Sequence, residues 1–525
     1  MAQVADAIVI RERTLTVSLP AQGVADESSG EPAISASGRV VAFASAASNL
    51  GPPDPNGAVR DIYVAGVGAG GVRLISVPAE GDGANGPSSA PALSADGERV
   101  AFASSASNLV FGDSNGVDDV FLREGRGAVI LVSITPDGGV ANGPSGQPSI
   151  SGDGRYVAFT SAATNLVPAA GGPGTQVYVR DLVAQRTVRV SDALAGAPAG
   201  GSAGEPAISA DGRAVSFDSE AANLVTGDTN GVADVFVRTL ARPATERVSI
   251  STAAVQQAKA VAAPFAQVSS ISADGRYVVF DSDAANLVRG DANGRTDVFL
   301  RDRRRKTTTL VSENNAGFQG NNDSFAPAIA AGGGHVTFES FATNLSSGGG
   351  PRENVFVRDL ALGLTSVVNV RSDGARPGAE QVKQLLQRPA LSADGRVAAF
   401  TSTARRLTGN TSGKAVVFAR RMSAPHGKVL RPPPRSTALL RPFVALSADD
   451  LQATRFACRI DEQPAFTCRR GTQRLPRQLP GSHVLEVRAG GPGLLYDPLP
   501  IKLPFTVRAE PARAVAPGGR RRRGI

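Results

Sequence analysis

Short apolar runs recur along this chain, four to seven residues long and rich in Val, Ile and Phe, with Gly- and Asp-containing punctuation between them. Runs of that length bounded by turn residues predict strands. They alternate only weakly between apolar and polar, so both faces of each strand are expected to be buried between neighbouring sheets. Helical periodicity is nearly missing. The best stretch, around Val255 to Ala263, is short and flanked by loop.

The runs belong to a repeat. "EPAISASGRVVAFAS" at 31 returns as "APALSADGERVAFAS" at 90, "QPSISGDGRYVAFTS" at 147 and "EPAISADGRAVSFDS" at 205. Further copies are "SSISADGRYVVFDS" at 269, "APAIAAGGGHVTFES" at 326 and "RPALSADGRVAAFTS" at 388. The aligned glycines Gly38, Gly97, Gly154, Gly212, Gly275, Gly333 and Gly395 are 59, 57, 58, 63, 58 and 62 residues apart, giving seven units. A fixed period of this length is the mark of a repeat architecture.

Each unit carries four strand signals; in the fourth they are "PAIS", "AVSFDS", "DVFVRTL" and "TERVSIS". Asp-Gly between the first two predicts a tight hairpin. Units one to six end in a fourth strand, whereas unit seven runs into the loop "SAPHGKVLRPPPRS". The segment "RTLTVSLP", residues 13–20, is an orphan fourth strand ahead of unit one. The expected fold is all-β: a seven-bladed β-propeller closed by this N-terminal strand, followed by a small β-sandwich. The expected division is an N-terminal segment 1–12, the propeller 13–422, a Pro-rich linker 423–436, the sandwich 437–508 and a disordered basic tail 509–525.

The "P-x-I/L-S-x-D-G-R-x-V-A-F" unit resembles the TolB-like, WD-repeat-like propeller repeats of bacteria over residues 13–422. The resemblance implies a platform for proteins or ligands, attached in some relatives to peptidases or lyases. Residues 437–508, with "FACRIDEQPAFTC" and "LPGSHVLEVRA", resemble bacterial Ig-like modules, which usually occur on exported proteins. This copy has "GGPGLLYDP" where such modules commonly carry Asp-x-x-Gly-Asn. Cys458 and Cys468 are the only two cysteines. A disulfide is favoured in an oxidising compartment, with two free buried thiols as the alternative.

Three units carry one loop pattern between strands two and three: Asp113, Asn115 and Asp119 in "GDSNGVDD"; Asp228, Asn230 and Asp234 in "GDTNGVAD"; Asp291, Asn293 and Asp297 in "GDANGRTD". Unit one has a stretched version with Asp54, Asn56 and Asp61. Hard cations take several oxygens from such a turn, which makes Ca2+ the one cofactor suggested, although the bidentate Glu of an EF-hand is missing. The competing reading is a corner, with Asp capping the turn and Asn-Gly taking positive φ. The strand-two-to-three loops and the longer loops between units emerge on one face of an up-and-down blade. That face is the expected binding face. The Asn before Leu in each loop (Asn49, Asn108, Asn165, Asn223, Asn286, Asn344) is expected to bond loop backbone. Arg123, Arg238, Arg301 and Arg358, which follow "VFV" or "VFL", are expected to pair with a turn Asp or lie at the surface.

Charge changes the picture only at the end of the chain. Residues 430–525 hold 17 Lys+Arg against 7 Asp+Glu, and the rest holds 38 against 40, so the net +8 says nothing of a nucleic-acid face on the repeats. The Arg run of the tail reads as a solvated terminus. The start "MAQVADAIVIRERTL" lacks the pattern of a secretory signal, and no run of about 18 apolar residues predicts a transmembrane helix. The Ig-like resemblance and the cysteine pair favour an exported location, extracellular or in the cell envelope.

The chain has three His, namely His335, His426 and His483, and they fall in a strand, a linker and the C-terminal module, which disfavours a His-based metal centre. No G-x-S-x-G elbow occurs. These features point to a monomeric, non-enzymatic scaffold that presents propeller loops to a protein or glycan partner. The alternative is a hydrolase or lyase using carboxylates near the central channel. A cluster of desolvated acids at the channel mouth would favour the enzyme, and a polar rim without one the scaffold.

Overall fold

The structure is a computed structural model that describes residues 14–508, except 21–22, 52–53, 55, 69–70, 80–82, 169–171, 259–266, 347–352, 372–387, 405–406, 409–412, 423–426, 449–454, 491–495 and 497–499. The predicted N-terminal segment 1–12 and basic tail 509–525 lie outside the described residues. The chain divides into two compact units, one reaching Ser423 with residues 492–495, the other from Ala424 onward.

The first unit holds seven four-stranded antiparallel sheets. The fourth sheet is typical, with strands Ala203–Ile208, Ala214–Ser219, Asp234–Thr239 and Ala244–Arg247 in sequence order. Six sheets are built this way, each from one unit of the repeat. The seventh takes Ala390–Leu391, Val397–Ser402 and Val416–Arg421 from its own unit and Thr14–Thr16 from the start of the chain. Thr14 pairs with Arg420, Leu15 with Ala419 and Thr16 with Phe418. The first strand of each sheet touches that of the next, and that of the seventh touches that of the first.

The repeated apolar runs build the core. Every sheet stacks a Phe of its second strand on an aromatic of its third, from Phe43–Tyr63 to Phe400–Phe418, with ring centroids 5.8–5.9 Å apart. Packing between sheets buries both faces of these strands; Val41, Ala42, Phe43 and Ala44 are all fully buried. That explains the weak alternation in the sequence.

The arginines of the third strands depart from expectation. Arg180, Arg301, Arg358 and Arg420 are at most 5 % exposed. Several act as staples between sheets: Arg123 Nη1 donates to Ile75 O (2.9 Å), Arg358 Nη1 to Glu313 O (2.9 Å) and Arg420 Nη1 to Arg371 O (2.8 Å). Arg180, Arg238, Arg301 and Arg358 also each bond a Thr seven residues on, in the fourth strand. A guanidinium buried between blades satisfies carbonyls that would otherwise be orphaned.

Among the described residues the second unit has eight strands in two sheets. Gly427–Arg431, Phe443–Ala448 and Gly471–Arg474 form one, and Ser436–Thr437, Arg455–Ile460, Phe466–Arg469, Gly481–Gly490 and Ile501–Val507 the other. The hairpin of Arg455–Ile460 with Phe466–Arg469 sets Cys458 and Cys468 at bonding distance, with Cα atoms 5.9 Å apart.

Candidate active site

The predicted loop residues close corners. In sheet two, Asn115 Nδ2 donates to Asp119 Oδ2 (2.6 Å) and to Ala141 O (3.0 Å), while Ser133 Oγ donates to Asp119 Oδ1 (2.6 Å). Sheet four repeats this with Asn230, Asp234 and Ser249, and sheet five with Asn293, Asp297 and Ser312. Asp119, Asp234 and Asp297 are fully buried, and burial pushes Asp119 up to about 6 and Asp297 up to about 7. Sheet three places Gln176 at the same corner, accepting from Ser191 Oγ (2.8 Å) and donating to Gly201 O (3.1 Å). One neutral amide thus does there what an Asp and an Asn do elsewhere.

The outer acids Asp113, Asp228 and Asp291 are raised by burial. In sheet four Arg247 bridges Asp228 (3.1 Å) and Asp234 (3.2 Å). Among the described residues no group of three or more His, Cys, Asp or Glu is placed to hold a metal ion. These loops bring two carboxylates each in sheets four and five and three in sheet two (Asp113, Asp118 and Asp119), against the six to eight oxygens that calcium takes. The Asn before Leu accepts and donates to loop backbone, as Asn108 does with Asn85 N (2.9 Å) and Gly83 O (2.8 Å).

A different set of acids converges near the inner strands. The second strand of every sheet ends in a Ser, and the residue before it varies: Ala44, Ala103, Thr160, Asp218, Asp281, Glu339 and Thr401. Sheets four, five and six therefore place a carboxyl at one register position, next to the first strands. Asp218 lies opposite Gly204 and Glu339 opposite Phe325. All three sit at the end of the second strand that leads into the second-to-third loop, on the face predicted to bind.

Burial dominates their chemistry. It pushes Asp218 and Asp281 up to about 7, with nearby Glu205 adding repulsion, and drives Glu339 well above the usual carboxylate range. Asp281 accepts from Val268 N and Ala326 N, both at 2.9 Å. Asp218 Oδ1 is buried with no hydrogen-bond partner among the described residues. Glu339 is 4 % exposed and faces Glu353, which immediately precedes the third strand Asn354–Asp359. A second carboxyl so close disfavours the charged form of Glu339 and adds to the upward push of burial. A small cavity lined by Glu339, Glu353, Asn354, Val355, Asn369, Thr401 and Ser402 opens on it.

Bulges in the first strands supply the rest. The strand slips register between Gly204 and Ala207, and the same slip recurs in sheets one, two, three and six. Its centre is held at positive φ: Glu31, Ala90, Gln147, Glu205 and Ala326, between 46° and 54°. Each is followed by Pro, which donates no ladder bond. Such bulges re-aim side chains and persist where the surroundings enforce them. Glu205 accepts from Gln147 Nε2 (2.6 Å) and pairs with Arg388, which precedes the first strand of sheet seven.

None of these five acids, nor Arg388, was among the predicted site residues. The signal was present as "FDS", "FDS" and "FES" in units four to six, against "FAS" or "FTS" in the others.

Solved structures of TolB-like and WD40 β-propeller proteins are similar to this chain. They include an oligogalacturonate lyase from Vibrio parahaemolyticus, with 9 % identity, TM-score 0.44, 78 % of this chain and 98 % of that chain covered. A putative TolB from Agrobacterium tumefaciens has 14 % identity and TM-score 0.35, with 67 % of this chain and 94 % of that chain covered. A GH74 xyloglucanase from Xanthomonas campestris has 10 % identity and TM-score 0.41, with 92 % and 68 % covered. No protein-family model and no curated protein matches the sequence. The expectation of a non-enzymatic protein is corrected here. Enzymes stand among these propellers, and the desolvated acids that were to favour an enzyme are present.

Proposed function

We propose that the seven sheets are blades of one ring latched by Thr14–Thr16, and that the acids of blades four to six make it an acid–base enzyme, a hydrolase or lyase. The observation that carries the reading is the pair of acids Glu339 and Glu353 lining one small cavity, with Glu339 buried. A general acid must keep its proton at working pH, and burial against a second carboxyl does this. Asp218, raised to about 7 and with Oδ1 free of donors among the described residues, suits the base. In a hydrolysis Asp218 takes a proton from water as the oxygen attacks, and Glu339 gives its proton to the leaving group. In an elimination Asp218 takes the proton from carbon instead. Either way the two carboxyls exchange protonation states and are reset by solvent.

The corner acids Asp113, Asp119, Asp228, Asp234, Asp291 and Asp297 have a structural role in this account, and no step passes through calcium. The close Cys458–Cys468 pair supports an exported location. No helix among the described residues is long and apolar enough to cross a membrane.

The test is a panel of aryl glycosides, polyuronides, esters and peptide amides assayed with the wild type and with Glu339→Gln. An activity that the substitution removes supports the reading. An activity that survives it unchanged, or a wild type inert on the whole panel, counts against it.

A further inference from the structure

Arg388 occupies an unusual place. It stands at the register of Glu31, Ala90, Gln147, Glu205 and Ala326, the position just ahead of the repeated Pro. Arg60, by contrast, pairs with Glu31 of its own sheet at 2.7 Å. Arg388 instead reaches from sheet seven to Glu205 of sheet four, a partner 183 residues away. Those sheets are not neighbours in the cycle of first strands, so the ion pair spans it. Gln147 of sheet three pins the other oxygen of Glu205. The Arg388 side chain is 53 % exposed while that of Glu205 is 11 % exposed. A long, half-solvated guanidinium held at its tip by a nearly buried acid is positioned by that acid.

We infer that Arg388 is the positioning residue of the carboxyl arc: strung across the ring to Glu205, it fixes the charge that Asp218, Asp281 and Glu339 experience together. The inference rests on the acid–base reading of the same site. Among the described residues, the charged groups that interact with Arg388 are Glu205 and Asp218 on sheet four, Asp281 on sheet five and Glu339 on sheet six. Gln147 on sheet three is neutral. Arg388 draws Asp218, Asp281 and Glu339 downward, against the larger upward push of burial. Glu205 works the other way on Asp218 and Asp281. The two halves of the ion pair thus tune Asp218 and Asp281 in opposite senses, and breaking either half must move those two in opposite directions.

The experiment reads carboxyl protonation by isotope-edited infrared titration of the full chain, with no substrate present. Its outcome therefore does not depend on whether a turnover assay succeeds. Arg388→Gln is expected to raise the arc midpoints by about one pH unit, the lower end for an opposite charge a few ångströms away. Glu205→Gln is expected to lower those of Asp218 and Asp281, Arg388→Lys to restore most of the wild-type curve, and Arg60→Gln to leave it in place. Unchanged midpoints in Arg388→Gln, or an equal shift in Arg60→Gln, would overturn the assignment. If the midpoints move as expected but no substrate is turned over, the electrostatic role stands and the catalytic reading fails.

Discussion

Sheets four to six and sheets one to three are copies of one repeat, and they differ where it matters chemically. Both sets stack an aromatic pair at the same spacing. Both end their second strand in a Ser, and Ser104 and Ser219 alike cap the loop that follows, through Ala106 N and Ala221 N. One residue earlier, the first set has Ala44, Ala103 and Thr160, and the second has Asp218, Asp281 and Glu339. The scaffold is indifferent to this position, since small, hydroxyl and acidic residues all occupy it without disturbing the strand register. A site can therefore be written into some copies of the repeat while the others remain plain framework. Burying three carboxyls side by side costs stability, and such a cost is typical of functional sites.

The comparison is broken most sharply by Glu339→Gln. It keeps shape and removes the proton, so the predicted activity should fall by about 100-fold or more. Thr160→Ala, at the same register in sheet three, should leave that activity near the wild-type value. Steady-state assays of both variants check this.

Asp218→Asn gives the next largest effect, on stability. The folded midpoint of Asp218, about 7, lies above the usual 3.8. Between those values the unfolded chain releases the proton and the folded chain retains it. Stability is therefore lost as pH rises from about 4 to 7 and stays low above. Asn carries no such penalty, so the variant should melt higher than the wild type at pH 8 and gain less at pH 4. Thermal melts at both pH values decide it, and an equal change at both would contradict the account. Asp281 is a poorer choice, because its two oxygens each accept a backbone N–H and Asn would lose one of those bonds.

The smallest expected effect concerns the corners. Millimolar calcium should move the melting temperature by less than about 1 °C, because the inner acid of each loop is already engaged by Asn and Ser donors. A larger rise that disappears in Asp113→Asn would make the loop of sheet two a metal site.

Much of the framework was legible in the sequence. Seven copies of the repeat became seven four-stranded sheets, and the orphan segment at the N-terminus became the fourth strand of the last. The site was legible only in part. The repeat was read for what recurs, and that drew attention to the Asp-Asn-Gly loops, whose Asn and Asp hydrogen-bond each other in the same way in sheets two, four and five. The acids of the arc are the places where the repeat departs from itself, which a search for the shared pattern passes over. Glu353 and Arg388 had no local signal at all. Glu353 precedes a strand that brings it to Glu339, and Arg388 meets Glu205 only because distant units curve around to face each other. Likewise, whether an arginine after "VFV" reaches solvent or a neighbouring blade depends on sheet packing, which periodicity does not encode.

The central claim is that the arc holds protons at neutral pH. Isotope-edited infrared titration of the wild type beside Asp218→Asn, Asp281→Asn and Glu339→Gln tests it most directly. The account predicts protonated carboxyl signal at pH 6, with the Asp218 and Asp281 parts falling as pH rises through 7 and a fraction of the whole disappearing with each substitution. Carboxyls that all titrate below about pH 5, with spectra indifferent to the three substitutions, would contradict it.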